Sequence, residues 1–179
     1  MIKVSEVKTE APPEYRTDLQ QKVYEMLAAL KVPFERVDND PALTMEDCEA
    51  IDERLHVKTV KTLFLCNRQK TSFYLFVTPG DKPFVTKNFG RALGVSRVSF
   101  APPEMLLGML GTVVGATTVF SLLLDTENTV RLVIDEAVTG YEYYGCTDGT
   151  TTGYMRIKMQ DLTEKILPCL QHQPTYINV

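Results

Sequence analysis

Two apolar runs of strand character, Thr62–Asn67 and Ser72–Thr78, flank the polar tetrapeptide Arg68-Gln-Lys-Thr71. Runs of this kind on either side of so short a polar connection predict a β-hairpin, which commits the chain to at least one antiparallel pair. The order of the remaining segments decides what surrounds that pair. Thr17-Asp-Leu-Gln20 has capping-box form, with a hydroxyl and an amide able to satisfy the first free N–H groups of a helix. Behind it Leu19, Val23, Met26, Leu27 and Leu30 recur at helical spacing, so a helix is expected to about Lys31. Pro33 stops it, and Phe34-Glu-Arg-Val37 reads as a short strand. Thr44-Met-Glu-Asp47 opens a second helix through Ala50, Ile51 and Leu55.

After the hairpin, Pro79-Gly80-Asp81 turns the chain. Thr86 is expected to cap a short helix from Lys87 to Leu93, with Gly94 as its left-handed stop. Val98–Phe100 reads as a brief strand, and Pro102-Pro103-Glu104 starts a helix through Met109. The loop Gly111-Thr-Val-Val-Gly115 leads into expected strands at Thr117–Leu124 and Thr129–Ile134. A polar segment, Gly145–Gly153, then precedes a strand at Met155–Lys158 and a helix from Asp161 that Pro168 disturbs. Strand pairs with helices between them predict an α/β fold with a mixed, partly antiparallel sheet and packed helices. A doubly wound parallel sheet would need regular strand–helix alternation. The 179 residues are expected to form one domain, 1–179, with residues 1–16 as a loose lead-in.

Several function classes are poorly supported. No run approaches the length that spans a bilayer, and the N-terminus lacks the apolar core of a signal peptide, so a cytoplasmic protein without a membrane partner is expected. Cys48, Cys66, Cys146 and Cys169 are far apart and read as free thiols, Cys66 buried in its strand. With only His56 and His172, in unrelated segments, neither a zinc site nor a Ser-His-Asp or Cys-His hydrolase is supported. Phosphate-cradling glycine motifs are missing, and no metal or cofactor is expected.

The charge pattern points elsewhere. Between Arg54 and Arg97 lie nine basic residues and one acid, Asp81, so a segment of +8 sits within flanks that together carry −12. A local positive field attracts a polyanion, most commonly nucleic acid; the competing reading is a solvated basic surface with no RNA role. In strand periodicity Lys61 shares a face with Leu63 and Leu65, a poor place for a solvated charge unless its stem snorkels from the strand end. Gly115 either lets the backbone approach a ligand or merely turns a loop. The threonines at 150–152 read equally as β-formers beside a turn.

Five segments together carry a family likeness: Thr17-Asp-Leu-Gln-Gln-Lys-Val-Tyr-Glu, Lys61-Thr-Leu-Phe-Leu-Cys-Asn-Arg-Gln-Lys-Thr71, Pro79-Gly-Asp-Lys-Pro83, Ser99-Phe-Ala-Pro-Pro-Glu104 and Leu110-Gly-Thr-Val-Val-Gly115. In these the chain resembles the YbaK and prolyl-tRNA-editing family, freestanding relatives of the editing domain of bacterial prolyl-tRNA synthetases. Its ProX or PrdX branch hydrolyses alanine mischarged onto proline tRNA. The resemblance implies a trans-editing deacylase with mischarged tRNA(Pro) as partner, a prolyl-tRNA synthetase as a further candidate partner, and a monomer. Lys61 matches the family lysine needed for deacylation. Gly115 matches the glycine opening the substrate loop, so Gly115, Ala116, Thr117, Thr118 and Val119 are expected to line the aminoacyl pocket. Thr44 matches a threonine facing that pocket, and Thr147 stands where relatives often carry histidine. Lys58, Arg68, Lys70, Lys87 and Arg91 are expected on acceptor-stem phosphates.

Two segments depart from the family pattern. Val119 replaces the proline that commonly ends the loop, and Gly145-Cys-Thr-Asp-Gly-Thr-Thr-Thr152 replaces Gly-Cys-His-Pro-x-x-Asn-Thr. The alternatives are the same chemistry on a cysteine or serine ester, and a catalytically weak tRNA-binding module.

Overall fold

In the computed structural model, which describes residues 1–179, the predicted hairpin is the centre of a five-stranded sheet. Its strands β2 (Val60–Asn67) and β3 (Phe73–Pro79) pair antiparallel with Lys61 opposite Thr78 and Leu63 opposite Phe76. β4 (Val98–Phe100) adds antiparallel to the outer edge of β2, while β5 (Val130–Asp135) and β8 (Thr175–Ile177) add parallel beyond β3. The order is therefore β4-β2-β3-β5-β8. A second, antiparallel sheet runs β1 (Glu35–Asp38), β7 (Gly153–Lys158), β6 (Tyr143–Thr147). A parallel bridge between Thr59 and Gly145 joins the two sheets. The fold is α/β with mixed and antiparallel sheets, as the element order implied.

Alternation along the central strands divides the core. Phe64, Leu75, Val77, Leu132 and Ile134 lie on one face and belong to the same buried cluster as Leu19, Val23 and Leu27 of α1 (Asp18–Ala29). Leu65, Tyr74, Phe76 and Val133 face the other way, against Phe89 of α3 (Thr86–Leu93). A third cluster joins Ile51 and Leu55 of α2 (Cys48–Leu55) to Val37 and Tyr154 of the smaller sheet. Burying a side chain such as Leu27 contributes about 1.5–3 kcal/mol, so α1 is held by its apolar stripe more than by its cap. The cap is nonetheless present: Thr17 Oγ1 accepts from Gln20 N at 3.1 Å, and Gln20 Oε1 turns back to Arg16 N at 2.7 Å.

Several expectations need correction. Residues 119–124 form a 3₁₀ helix rather than a strand. Thr118 caps it, and Val119, Phe120, Ser121 and Leu122 are all buried, so the run carries no periodicity to separate helix from strand. The lead-in is tied down: Ser5 N donates to Asp38 O, and Lys8 and Arg36 exchange backbone hydrogen bonds, laying residues 3–8 along β1. β6 and β8 form where no strand was expected. Thr86 lies inside the first turn of α3, preceded by Val85 without a side-chain cap, although Gly94 does end the helix at φ +73°. Between Met159 and Leu170 the final helix contains a π turn, with Leu167 N–H donating to Leu162 O. Pro168 follows directly and has no N–H to continue the ladder.

Candidate active site

Only part of the outer edge of β2 is covered. β4 pairs with Leu65–Asn67 and Ala101 N reaches Phe64 O at 2.9 Å, but toward Val60 no strand follows. A cavity of about 410 Å³ opens along this stretch. The turn before α2 supplies Leu43 and Thr44, the first residue of α2 is Cys48, Thr59 and the first half of β2 supply residues 59–64, and α4 (Pro103–Leu110) supplies Pro103 and Leu106. Phe100, Gly115, Thr117, Thr147 and Tyr154 also line it. Twelve of the twenty lining residues are hydrophobic, which gives the small-ligand arrangement of apolar walls with a few polar groups.

Two loops are locked together to form one wall. Ala116 O accepts from Thr147 Oγ1 at 2.9 Å, and the Thr112 hydroxyl lies 3.2 Å from both Ala116 O and Gly149 O. Thr147 Oγ1 in turn accepts from Gly149 N at 3.2 Å. Gly115 sits at φ +91°, where side-chain-bearing residues are strained, yet a Cβ there would meet nothing nearer than Leu43 at 3.6 Å. Backbone conformation, not crowding, therefore calls for glycine. Beneath this wall Asp148 is buried, with Gln20 Nε2 and Tyr24 Oη on Oδ2 at 2.8 and 2.9 Å and Thr150 Oγ1 on Oδ1 at 2.7 Å.

Lys61 lines the cavity near its mouth. Its ammonium donates to the Lys82 carbonyl, on the loop whose own Lys82 Nζ pairs with buried Asp135 at 2.8 Å. Desolvation pushes the Lys61 pKa down from the usual lysine value, with Asp81 opposing. Thr44 belongs to a reciprocal turn: its hydroxyl accepts from Asp47 N, and Asp47 Oδ2 accepts from Leu43 N and Thr44 N. Those backbone bonds hold the Asp47 carboxyl below its usual range. Deep in the cavity the Cys48 thiol lies 3.7 Å from Tyr154 Oη, and burial pushes the pKa of both groups up. Cys48 is thus a neutral wall residue, not a thiolate nucleophile.

The structure brings Lys61, Thr44, Gly115, Thr117 and Thr147 to one cavity and turns three expected residues away from it. Ala116, Thr118 and Val119 are buried in the protein, because the chain enters the 3₁₀ helix here instead of running along the pocket as a strand. The Ala116 N–H is not free to bind an oxyanion, being already bonded to Val113 O at 3.0 Å. Thr147 has spent its hydroxyl on Ala116 and Gly149. Sequence reasoning assigned no pocket role to Cys48, Phe100 or Tyr154. Phe100 belongs to the Ser99–Glu104 segment that carries part of the family likeness, which is its one signal in the sequence; Cys48 and Tyr154 carry none, because they meet only where β7 lies beside α2.

The five expected tRNA contacts separate into groups. Lys58 immediately precedes Thr59 of the cavity lining, and Lys87 and Arg91 join Arg97 around a shallow depression beside Gly90. Arg68 and Lys70 lie at the hairpin tip, about 23 Å from Lys61 at the rise of a strand. All five are exposed.

A mostly apolar cavity holding a half-buried lysine and a constrained glycine loop, with exposed cations outside, has the layout of a hydrolase for a small activated ester on a polyanionic carrier. The sequence model of the aminoacyl-tRNA editing domain matches residues 39–165, and the chain belongs to that family, as the resemblance to YbaK and ProX implied; it is an aminoacyl-tRNA deacylase. The prolyl-tRNA editing protein ProX of Acetoanaerobium sticklandii is 29% identical over 150 residues, covering 84% of this chain and 91% of that protein. The prolyl-tRNA synthetase associated domain-containing protein 1 of Danio rerio is 28% identical over 163 residues, covering 90% and 88%. Among solved structures, a candidate trans-editing enzyme for prolyl tRNA synthetase superposes with a TM-score of 0.65 at 17% identity, covering 92% of this chain and 99% of that one. That last likeness concerns the fold. No helix is long and apolar enough to cross a membrane.

Proposed function

We propose that this chain clears mischarged proline tRNA by hydrolysing the ester that joins a small amino acid, alanine first, to the terminal adenosine. A water oxygen adds to the ester carbonyl, the bond to the ribose oxygen breaks, the amino acid leaves as its carboxylate and the ribose hydroxyl regains a proton. The ester is already activated, so the reaction needs a placed water and stabilisation of the oxyanion more than a strong nucleophile. Lys61 supplies positive charge at the cavity mouth, to the oxyanion or to the terminal adenosine. The Gly115 N–H, which has no backbone acceptor, is a loop donor still free where Ala116 is committed. Thr44 and Thr117 are the hydroxyls left to hold water, and the vicinal ribose hydroxyl assists in activating it.

The carrying observation is the cavity itself: Lys61 and Gly115 border one mostly apolar space at an open strand edge. The names of the ProX and zebrafish relatives support proline tRNA as the carrier. Editing answers a physical need, because a synthetase pocket shaped for proline rejects the smaller alanine by only about 1–3 kcal/mol. A panel of Ala-, Cys-, Ser- and Pro-tRNA(Pro) tests the proposal. The alanyl ester should be cleared fastest and the prolyl ester spared. Rapid hydrolysis of Pro-tRNA(Pro) refutes editing. A second reading, a tRNA-binding module, is favoured by one observation: the Thr147 hydroxyl at the family histidine position is wholly engaged in holding the loop. Binding without hydrolysis of any ester would establish it.

A further inference from the structure

A chain of aromatic contacts leads from the core to the rim of the cavity and ends on an exposed ring. Phe76 and Phe89, both buried, pack edge-on with centroids 4.9 Å apart. Phe84 packs against each of them, at 5.9 and 6.2 Å, and Phe100 packs edge-on against Phe84 at 5.7 Å. Phe100 is nevertheless 60% exposed and lines the cavity. An exposed phenylalanine normally loses little by moving, but this ring is braced along one edge by a rigid cluster. Its position at the end of β4 is further fixed by the Ala101 N–H on Phe64 O.

The surroundings indicate what it meets. Arg97 lies three residues earlier, about 10 Å along an extended chain, and with Lys87 and Arg91 it surrounds the shallow basic depression. None of the three is engaged in an ion pair. An open aromatic face next to unpaired cations is the arrangement that binds single-stranded nucleic acid, with a base on the ring and its 5′ phosphates on the cations. Resting on the editing proposal above, we infer that Phe100 is the stacking platform for an unpaired nucleobase at the 3′ end of the tRNA, with Lys87, Arg91 and Arg97 taking the phosphates that lead to it. Phe100 thereby positions the ester over the cavity without touching the reacting atoms.

The chain contains no tryptophan, which makes the test direct. Phe100→Trp introduces a single indole that keeps the stacking face. Titration of this variant with a single-stranded RNA hexamer ending in CCA should quench the indole saturably. The same hexamer with an abasic 3′ residue should bind at least about tenfold more weakly, on the scale of one lost base–aromatic stack. In parallel, Phe100→Ala and Phe100→Leu should each raise KM for alanyl-tRNA(Pro) by about tenfold to a hundredfold with kcat within about twofold, the signature of lost uniform binding. The leucine variant separates stacking from simple apolar cover. An unquenched indole, or full affinity in Phe100→Leu, overturns the platform while wild-type hydrolysis leaves the editing reading standing. Quenching with no hydrolysis by the wild type does the reverse.

Discussion

Replacing Asp148 with alanine removes the carboxylate beneath the cavity wall and leaves three buried side-chain donors without an acceptor: Gln20 Nε2, Tyr24 Oη and Thr150 Oγ1. Burial, then the Asp148 charge, pushes the Tyr24 phenol well above its usual pKa, so it stays a donor throughout the accessible pH range. Each buried donor left unmade costs about 1–3 kcal/mol, and relaxation around the smaller side chain recovers part of the sum. The expected loss is about 3–5 kcal/mol, a large share of a typical domain's stability. Tyr24→Phe alone removes one donor and should cost about 1 kcal/mol. In the double variant the two losses should fall short of additivity by about 1–2 kcal/mol, because the phenylalanine no longer misses the carboxylate. Urea unfolding followed by circular dichroism measures all four corners of this cycle. A loss below about 1 kcal/mol in Asp148→Ala, or strict additivity, would refute the view that this carboxylate ties α1 to the turn between β6 and β7.

Lys61→Ala should lower the hydrolysis rate by about 10²–10³ while Lys58→Ala changes it less than about threefold; equal effects in single-turnover assays would misplace the chemistry. At Asp125, burial pushes the carboxyl pKa up, but hydrogen bonds from Thr129, His172 and the Val130 and Thr129 N–H groups outweigh it and hold the group below the usual range. Its stabilisation is therefore present above the unfolded-state pKa and lost as pH falls through the lower folded value. Asp125→Asn should flatten the fall in unfolding free energy between about pH 5 and pH 2, and an unchanged acid limb would contradict this. Affinity for tRNA should fall steeply with added salt, and neutralising Lys70, Lys87 and Arg91 together should reduce the log–log slope, whereas an unchanged slope removes this face from the binding surface. Thr147→His adds bulk where the hydroxyl bridges Ala116 and Gly149, so it should cost about 1–3 kcal/mol in unfolding free energy rather than restore a lost activity; a faster, equally stable variant would show the opposite.

Local chemistry made much of the fold legible. The capping box at Thr17, the polar turn between β2 and β3 and the glycine stop at Gly94 all appear as their residue types dictate. What escaped depended on tertiary context. Within Thr117–Leu124 the consecutive residues Thr118–Leu122 are all buried, so the segment favours no period. β6 was concealed by Gly145, whose lack of a side chain serves close approach: a Cβ would come within 2.8 Å of Val57 Cγ1. The site divides in the same way. Lys61 and Gly115 stood out as a charge on an apolar strand face and a glycine in a loop. Cys48 and Tyr154, remote in sequence, become neighbours only when the smaller sheet packs on α2. His172 is buried with Nε2 2.8 Å from Asp125, a contact no local pattern announces.

The two departures from the family pattern acquire a physical meaning from their positions. Val119 is the first residue of the 3₁₀ helix after its Thr118 cap, a position where proline is favoured because its missing N–H would be unpaired in any case. Valine there gives up preset backbone geometry but fills the core beside Phe120 and Leu122, and its side chain never enters the cavity. The exchange alters how the loop is held, not the lining of the cavity. At the second departure Thr147 and Asp148 replace histidine and proline, and the turn acquires a bonding scheme of its own, running from α1 through Asp148 to Thr147 and Ala116. A decayed site would leave such a turn with unpaired polar groups, whereas the Thr147, Asp148 and Thr150 side chains are all hydrogen-bonded. Both substitutions therefore fall on the framework that shapes the loop, while Lys61, Gly115 and the threonines beside them remain at the cavity surface. The proposed chemistry, carried by a lysine charge, a backbone N–H and the substrate's own hydroxyl, needs no histidine at 147.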